Sequence, residues 1–527
     1  MTRIGIYGWG VVAPRSRDVE SFAANLASSD SWLTPFDGFG PSNFLVGDPD
    51  FDFADYRPWI EERFPPSKYP QLRQKMGDTT LMAIGAFIQA LGQNDGIETT
   101  LRELGSEAQV LVGTGLGELP TFYDTSIELF RAQRRWDRFW AQPERNGDRM
   151  RYEEAPTAER DDLRVEWSIP DDPTRHGGNP DERELVSLEW HRFWMERSDG
   201  LRRFLDAWND IESQGVSGTV AAGKLHAIRR KRTAIDRLMR EWECPAPPWM
   251  SVSTNLLWNI HNTPASQISM LGHITGAAYA PVAACSTFGV ALHLGMQAIR
   301  SGEARAVVVG AADPPPHPLT VGTFYGARVL AADRSPSVPL TELRGTHAAG
   351  GSCVWILGDV DYMSARGYEP VGLELLGVGV TADADHIITP SQEGPQECIR
   401  RAFLDAGLDA SEVSTWDLHA TATPGDIQEV TNLRTLLGGS VALTARKGTF
   451  GHGMAVAGGW ELMAQHLGMV RGELFPTPLQ SGELNEHLRE LPFRYVASAG
   501  CSIPEGAAGK LSMGVGGINA CTISRPW

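Results

Sequence analysis

Three side chains in this 527-residue sequence have types and settings suited to acyl transfer and carbanion chemistry: Cys285, His419 and His452. Cys285 sits in Pro281-Val-Ala-Ala-Cys-Ser-Thr-Phe-Gly-Val-Ala-Leu-His, where an apolar run stops at small residues and an amphipathic helix follows to about Arg300. A thiol at a helix N-terminus meets the positive end of the helix dipole and unpaired backbone N–H groups. Such settings commonly bring a cysteine pKa from about 8.5 to between roughly 3.5 and 7.5, so the position predicts a stabilised thiolate. A small buried core cysteine is the other reading, and position alone leaves both open.

His419 lies in Asp417-Leu-His-Ala-Thr-Ala-Thr-Pro-Gly-Asp, at the end of an apolar run, where α/β proteins concentrate their chemistry. His452 lies in Lys447-Gly-Thr-Phe-Gly-His-Gly-Met-Ala, whose small residues let backbone and ligand approach closely. A single histidine is more often structural. One thiol with two imidazoles suits acylation of sulfur followed by stabilisation of a carbanion. Zinc is the other chemistry open to such a trio, but nothing here has metal-ligand spacing, so no metal is expected.

The elements that must position these groups follow from the pattern of apolar runs. One stretch holds Ile4-Gly-Ile-Tyr-Gly-Trp-Gly-Val-Val, Ala108-Gln-Val-Leu-Val-Gly-Thr-Gly and Ala304-Arg-Ala-Val-Val-Val-Gly-Ala-Ala. A second holds Val371-Gly-Leu-Glu-Leu-Leu-Gly-Val-Gly-Val, Thr415-Trp-Asp-Leu-His and Val441-Ala-Leu-Thr. Buried strands alternating with helices predict an α/β fold with sheets covered on both faces. The stretches read as weak copies, with a helix opening beside Cys285 in one and beside His452 in the other. Duplication would bring both helix starts to one interface.

About residues 125–248 break this style; with the Trp249 that follows they hold eight of the sixteen tryptophans, among many Arg, Asp and Glu. Leu201 to Trp208, and Leu225, Ile228, Ile235, Leu238, Met239 and Trp242, fall at helical spacing, predicting a mainly helical insertion whose aromatics need burial. Its densest basic run, Ile228-Arg-Arg-Lys-Arg-Thr, is first of all a solvated helix face.

Apolar residues at 42% and charged residues at 21% exclude wholesale disorder, collagen and a disulfide mini-scaffold. Against 65 acidic residues stand 47 basic ones, a net charge of −18 that argues against a nucleic-acid partner. The six cysteines are scattered, with no CxxC pair, which suits a reducing compartment. No signal-peptide pattern or membrane-length apolar run is visible, so a cytoplasmic protein without membrane association is expected. Gly113-Thr-Gly-Leu-Gly lacks both GxGxxG spacing and a Walker lysine, so nucleotide binding is not expected.

Taken in order, the Cys285 segment, the His419 loop ending in Gly425-Asp426, and Lys447-Gly-Thr-Phe-Gly-His resemble the β-ketoacyl synthases of the thiolase-like superfamily. Gly8-Trp-Gly-Val-Val-Ala-Pro, Asp383-Ala-Asp-His-Ile-Ile-Thr-Pro and Gly514-Val-Gly-Gly-Ile-Asn-Ala extend the resemblance over nearly everything except the Trp-rich insertion. It implies a five-layered αβαβα fold from two pseudo-duplicated halves: 1–335 with the nucleophile and the 125–248 insertion, and 336–527 with both histidines. It also implies a decarboxylative condensation of an acyl thioester with malonyl-carrier protein, in fatty acid or polyketide assembly. On that pattern Cys285 is acylated, His419 and His452 hydrogen-bond the malonyl thioester carbonyl, and Lys447 supports them. The backbone N–H groups of Cys285 and Val515 form the oxyanion hole, and Met513 and Val515 stand at the acyl gate.

The resemblance implies no permanently bound cofactor, substrates carried on the phosphopantetheine of an acyl carrier protein, and a homodimer or a heterodimer with another synthase-like chain. Arg229, Arg230, Lys231 and Arg232 would then dock an acidic carrier, and the insertion would cap the substrate entrance or extend the dimer surface. Departures from the pattern are a first-histidine loop shorter by one residue, Gly448 in place of serine, Gly351 in place of a glutamate, and Val515 in place of a gate phenylalanine. These keep two alternatives open: acyl transfer or decarboxylation without extension, and a non-catalytic partner subunit, against which the retained Cys285, His419 and His452 argue.

Overall fold

The computed structural model describes residues 2–40, 43–213, 222–438, 441–480, 482–503 and 505–527. It forms two compact units, one of Met1–Thr121 with Leu257–Trp527, the other of Phe122–Leu256. The first unit carries strands β1 (Ile4–Val12), β2 (Ala108–Gly113), β3 (Ala278–Tyr279), β4 (Ala306–Asp313), β5 (Gly351–Asp359) and β6 (Glu374–Ala382). It continues with β7 (Val413–Asp417), β8 (Ala442–Thr444), β9 (Arg494–Tyr495), β10 (Ala507–Gly514) and β11 (Ile518–Arg525). They make one sheet in the order β9-β8-β7-β10-β11-β6-β1-β5-β4-β2-β3.

Between β1 and β6 that sheet is held by the single pairing of Ile4 with Leu375. On either side of it the same design appears twice. In β1-β5-β4-β2-β3 the pairings run antiparallel, antiparallel, parallel, parallel. In β6-β11-β10-β7-β8 they follow the same sequence. The expected duplication is therefore a repeat of strand order and direction. β5 belongs to the first half-sheet because it pairs with both β1 and β4, so that half extends past the 335/336 division expected from sequence.

β1, β2, β4 and β5 are buried along their whole length, which is why they read as apolar runs without alternation. Helix Asp78–Leu91 lies directly on β1: a Cβ at Gly10 would fall 1.9 Å from the Ala86 carbonyl oxygen. Between the half-sheets lie helices α1 (Thr287–Arg300) and, following α2 (Gly425–Leu436) in the chain, α3 (Ala457–Arg471). Phe288, Leu292 and Met296 of α1 join Trp460 and Met463 of α3, together with Val309 and Trp355, in one core. Ala86, Phe87 and Ile268 cover the outer face of the first half-sheet, and Ile399, Val430 and Leu433 that of the second. Five layers result: helix, sheet, helix, sheet, helix.

The second unit is helical over Pro180–Arg197, Asp199–Glu212 and Ala222–Trp242. The Gly-Gly-Asn-Pro turn starts the first of these: the Asn179 side chain accepts from Glu182 N–H (2.9 Å), Glu182 accepts from Asn179 N–H (3.0 Å), and Pro180 follows. Trp136, Trp140, Leu201, Phe204, Trp208, Ile235 and Leu238 form one core, and Tyr152, Leu163, Trp190 and Trp194 a second. Ile228, expected on the buried face, is 52% exposed, and Ala227 is buried in its place. The rest of that face holds, with Ile235 and Leu238 buried and Met239 and Trp242 packed against them; the Leu225 side chain lies outside those described. Among the described residues no helix is long and apolar enough to cross a membrane.

Candidate active site

Cys285 lies in the turn Ala284–Ser286, just before α1. Ala284 takes φ of +48°, a left-handed conformation that L-residues rarely adopt. The turn is held on both sides: Ala283 N–H donates to Thr287 Oγ1 (2.9 Å), and Ser286 Oγ donates to the carbonyls of Ile518 (2.7 Å) and Ser512 (3.1 Å). These bonds tie the thiol to the facing ends of β10 and β11. Gly514 is required there, since a Cβ would sit 2.8 Å from the Ala283 carbonyl oxygen and 3.3 Å from the Cys285 nitrogen.

The N–H groups of Val515 and of Cys285 itself both act on the sulfur, the pair expected to form the oxyanion hole. The expected thiolate does not follow. Burial dominates and pushes the Cys285 thiol up to about 11, against the opposing pull of Lys447 and the two N–H groups, with Asp313 pushing the same way as burial. The helix-dipole reasoning gave the opposite direction because Cys285 is only 6% exposed and burial outweighs the two N–H groups. Iodoacetamide alkylation of Cys285 should therefore accelerate about tenfold per pH unit from 7 to 9, following the thiolate fraction, without levelling. A plateau below pH 8, read by peptide mass spectrometry, would contradict this.

His419 and His452 meet edge to face, ring centroids 5.4 Å apart. Glu429 of α2 accepts from the N–H groups of His419 (2.7 Å) and Ala420 (2.9 Å), and Asp426 from those of Thr421 (2.8 Å) and Leu340 (2.9 Å), so carboxylates shape the His419 loop. Burial raises Glu429 to about 7 and Asp426 to about 6. His452 is fixed through its backbone, donating to the His347 carbonyl (2.7 Å) and accepting from Ala349 N–H (2.9 Å). Its Nδ1 is buried with no hydrogen-bond partner. Burial, followed by the charge of Lys447, holds both imidazoles well below their ordinary pKa. Both are neutral N–H donors at neutral pH.

Lys447 opens the short helix Lys447–Phe450 and donates to the His419 carbonyl and to Glu461 Oε1 (2.6 Å). Sequence reasoning singled out Lys447 but missed its surroundings. Asp417, Arg446, Lys447, Glu461 and Lys510 are all at most 2% exposed and form one charged cluster. A signal was present: Glu461 and Lys510 are lone charges in the otherwise apolar runs Ala455-Val-Ala-Gly-Gly-Trp and Leu511-Ser-Met-Gly. Charged residues are almost never fully buried unless paired. Asp313, also missed, ends β4 and accepts from Gly115 (2.9 Å), Leu116 (2.7 Å) and Ala455 (2.8 Å) N–H groups. The glycine loop after β2 thus spends two of its N–H groups on a protein carboxylate rather than a phosphate.

The two expected gate residues face different surroundings. Met513 packs with Leu418 and Leu511 in the core, whereas Val515 is 42% exposed on a turn completed by Gly516 (φ +92°) and Gly517 (φ +72°). That turn is tied to the 383–390 loop by Gly516 N–H to the Ile387 carbonyl (2.7 Å). At Gly351 no side chain fits: φ is +150°, and a Cβ would lie 2.2 Å from the Val12 carbonyl oxygen and 2.6 Å from Trp460 Cζ2. Trp460 fills the space a glutamate would need. At Gly448 a Cβ would press on Pro339 Cδ at 3.0 Å. In the second unit Arg229, Arg230 and Arg232 are exposed, while Lys231 is half-buried against Glu212 (3.2 Å). Among the described residues no three His, Cys, Asp or Glu side chains are grouped to hold a metal ion.

Comparison with known proteins bears on this arrangement. The family model described as the N-terminal domain of beta-ketoacyl synthase matches residues 215–354, and its C-terminal counterpart residues 373–479. Nodulation protein E of Rhizobium meliloti is 28% identical over 217 residues, 40% of this chain and 54% of the relative. The chloroplastic 3-oxoacyl-[acyl-carrier-protein] synthase I of Arabidopsis thaliana is 28% identical over 214 residues, 39% of this chain and 45% of the relative. The chain spans about half the length of these curated relatives. A beta-ketoacyl synthase from Burkholderia phymatum superposes with a TM-score of 0.67 at 18% identity, covering all of both chains. The ishigamide ketosynthase/chain length factor gives 0.66 at 18%, covering all of this chain and 99% of the other. At such identities the structural likeness speaks for the fold alone, which is thiolase-like.

Proposed function

From the premise that the chain belongs to the β-ketoacyl synthase family, we propose that it joins an acyl group to a malonyl-derived two-carbon unit, both delivered as thioesters on an acyl carrier protein. The observation that carries this reading is the convergence of one charge, Lys447, on the Cys285 thiol and on two neutral imidazoles that touch edge to face.

In the first half-reaction Cys285 Sγ attacks the acyl thioester carbonyl. Negative charge gathers on its oxygen, which the N–H groups of Cys285 and Val515 receive, and the carrier thiol leaves. Because the resting group is a buried thiol, its proton must depart as the bond forms, and the departing carrier sulfur takes it up. In the second, malonyl thioester loses CO₂, and the electrons of the broken C–C bond pass into an enolate. Its oxygen is held by N–H donors of His419 and His452, and its carbon attacks the acyl-cysteine carbonyl, expelling the Cys285 thiolate. Preorganised donors in a buried site are what such a charge requires.

A second reading, acyl transfer or decarboxylation without extension, draws support from Gly351, where Trp460 stands in place of the acid in the family's pattern. Intact-mass spectrometry of the protein with acyl- and malonyl-carriers separates the cases. A β-ketoacyl product supports condensation, acylation or CO₂ release without product supports the second reading, and no adduct with any donor points to a partner subunit.

Cytoplasmic placement and a dimer, with itself or another synthase-like chain, belong to the same proposal, as does carrier docking on the exposed arginines of the second unit. Arg229→Glu/Arg230→Glu/Arg232→Glu should weaken carrier binding at least tenfold at about 50 mM salt and less at high salt, since only surface electrostatics are altered. Unchanged affinity at low salt in a titration would remove this surface from consideration.

A further inference from the structure

The buried cluster contains a second ammonium, Lys510 of β10, that the mechanism above does not use. Its Nζ lies 2.7 Å from Glu461 Oε2, while Lys447 takes Glu461 Oε1, so the two lysines share one carboxylate. Lys510 Nζ also donates to the Leu511 (2.5 Å) and Leu418 (3.4 Å) carbonyls. Asp417 Oδ1 lies 3.8 Å away. Leu418 and Asp417 are the residues immediately before His419 at the end of β7, and Glu461 is on α3.

We propose that Lys510 is a positioning residue for the decarboxylation step, resting on the condensing reading above: it clamps the end of β7 and α3 together, so that Glu461 holds Lys447 on the His419 carbonyl. No other described cation contacts Glu461, whose ion pairs are those with Lys447 and Lys510. Arg446, on the far side of the cluster, approaches Asp417 Oδ2 at 3.3 Å and leaves Lys510 as the cation bridging Asp417 and Glu461. Burial disfavours the Lys510 charge, but the Glu461 and Asp417 carboxylates outweigh it and raise its pKa, so the ammonium persists.

That charge acts beyond the clamp. The groups around the imidazoles are Asp417 and Lys510 on the strands, Asp426 and Glu429 on α2, Arg446 and Lys447 beside the short helix, Glu461 on α3, and Asp313 facing Cys285. Among them Lys510 joins burial and Lys447 in disfavouring protonation of both His419 and His452. Removing it must therefore move imidazole titration upward.

The test compares wild type with Lys510→Met and Lys510→Arg. ¹³C-histidine NMR reads the two imidazoles without reference to activity, and steady-state release of CO₂ from malonyl-carrier reads the step. In Lys510→Met both imidazoles should titrate at higher pH, and kcat for CO₂ release should fall at least about tenfold with KM within about twofold and Cys285 acylation retained. Lys510→Arg, which keeps the cation, should return titration toward wild type. Unshifted imidazoles, an unchanged kcat, or parallel loss of acylation and CO₂ release would overturn the proposal. Should Lys510→Met not fold, Lys510→Met/Asp417→Asn, which removes one buried carboxylate with the cation, is judged by the same two readouts. A wild type that releases no CO₂ sinks the condensing reading, while the NMR comparison still decides the place of Lys510.

Discussion

Cys285→Ala should leave no acyl-enzyme and lower the proposed condensation by at least about 10³-fold, the scale expected when a covalent route is removed. Alanine fits the turn, because the restraints there come from Thr287 and Ser286 rather than from the sulfur. The three other buried thiols are poor substitutes. Cys353, Cys398 and Cys521 are buried in the apolar core, where burial pushes Cys398 up to about 12 and raises the other two. Intact-mass spectra should show one acyl adduct per chain in wild type and none in the variant. An adduct persisting at wild-type level would move the nucleophile elsewhere. Release of CO₂ from malonyl-carrier should survive, because the imidazoles and the Lys447–Glu461 pair do not depend on the sulfur.

His419→Ala and His452→Ala should give the mirror image. Each removes one neutral donor from a buried site, and loss of such a donor typically costs about 10²–10³ in rate, about 3–4 kcal/mol. Release of CO₂ should fall by that factor in each variant, and acylation of Cys285 should fall far less. Removing both should cost less than the product of the single losses, since the rings touch and share one developing charge. Equal loss of acylation and CO₂ release in both variants would show that the histidines serve the fold rather than the enolate.

Much of this site was legible in the sequence because Cys285, His419 and His452 sit where small residues interrupt apolar runs. The small-residue turn before Cys285, the loop after Asp417 and the glycines around His452 marked those interruptions. What escaped was the support. Glu461 and Lys510 are 49 residues apart in the chain and meet through one contact, which local spacing cannot reveal. The protonation state of Cys285 also escaped, because the dipole of α1 is a local property whereas desolvation is set by everything packed around the turn. The duplication was visible as repeated strand-helix rhythm, but its boundary was not: β5 lies in the first half-sheet by virtue of partners 300 residues and more upstream in β1. In the tryptophan-rich unit, periodicity found the helices and the face of Ile235 and Leu238, and misplaced only Ile228.

The chain leaves the first unit after Thr121 and rejoins it at Leu257. Thr114 Oγ1 lies 2.9 Å from His261 Nδ1, and a Cβ at Gly117 would fall 2.8 Å from the same ring. A loop whose stems already touch accepts extra sequence at little closure cost, whatever its length. The junction at Thr121 and Leu257 is therefore a place where this fold tolerates added sequence. Variation among relatives that share this catalytic body should concentrate at that address.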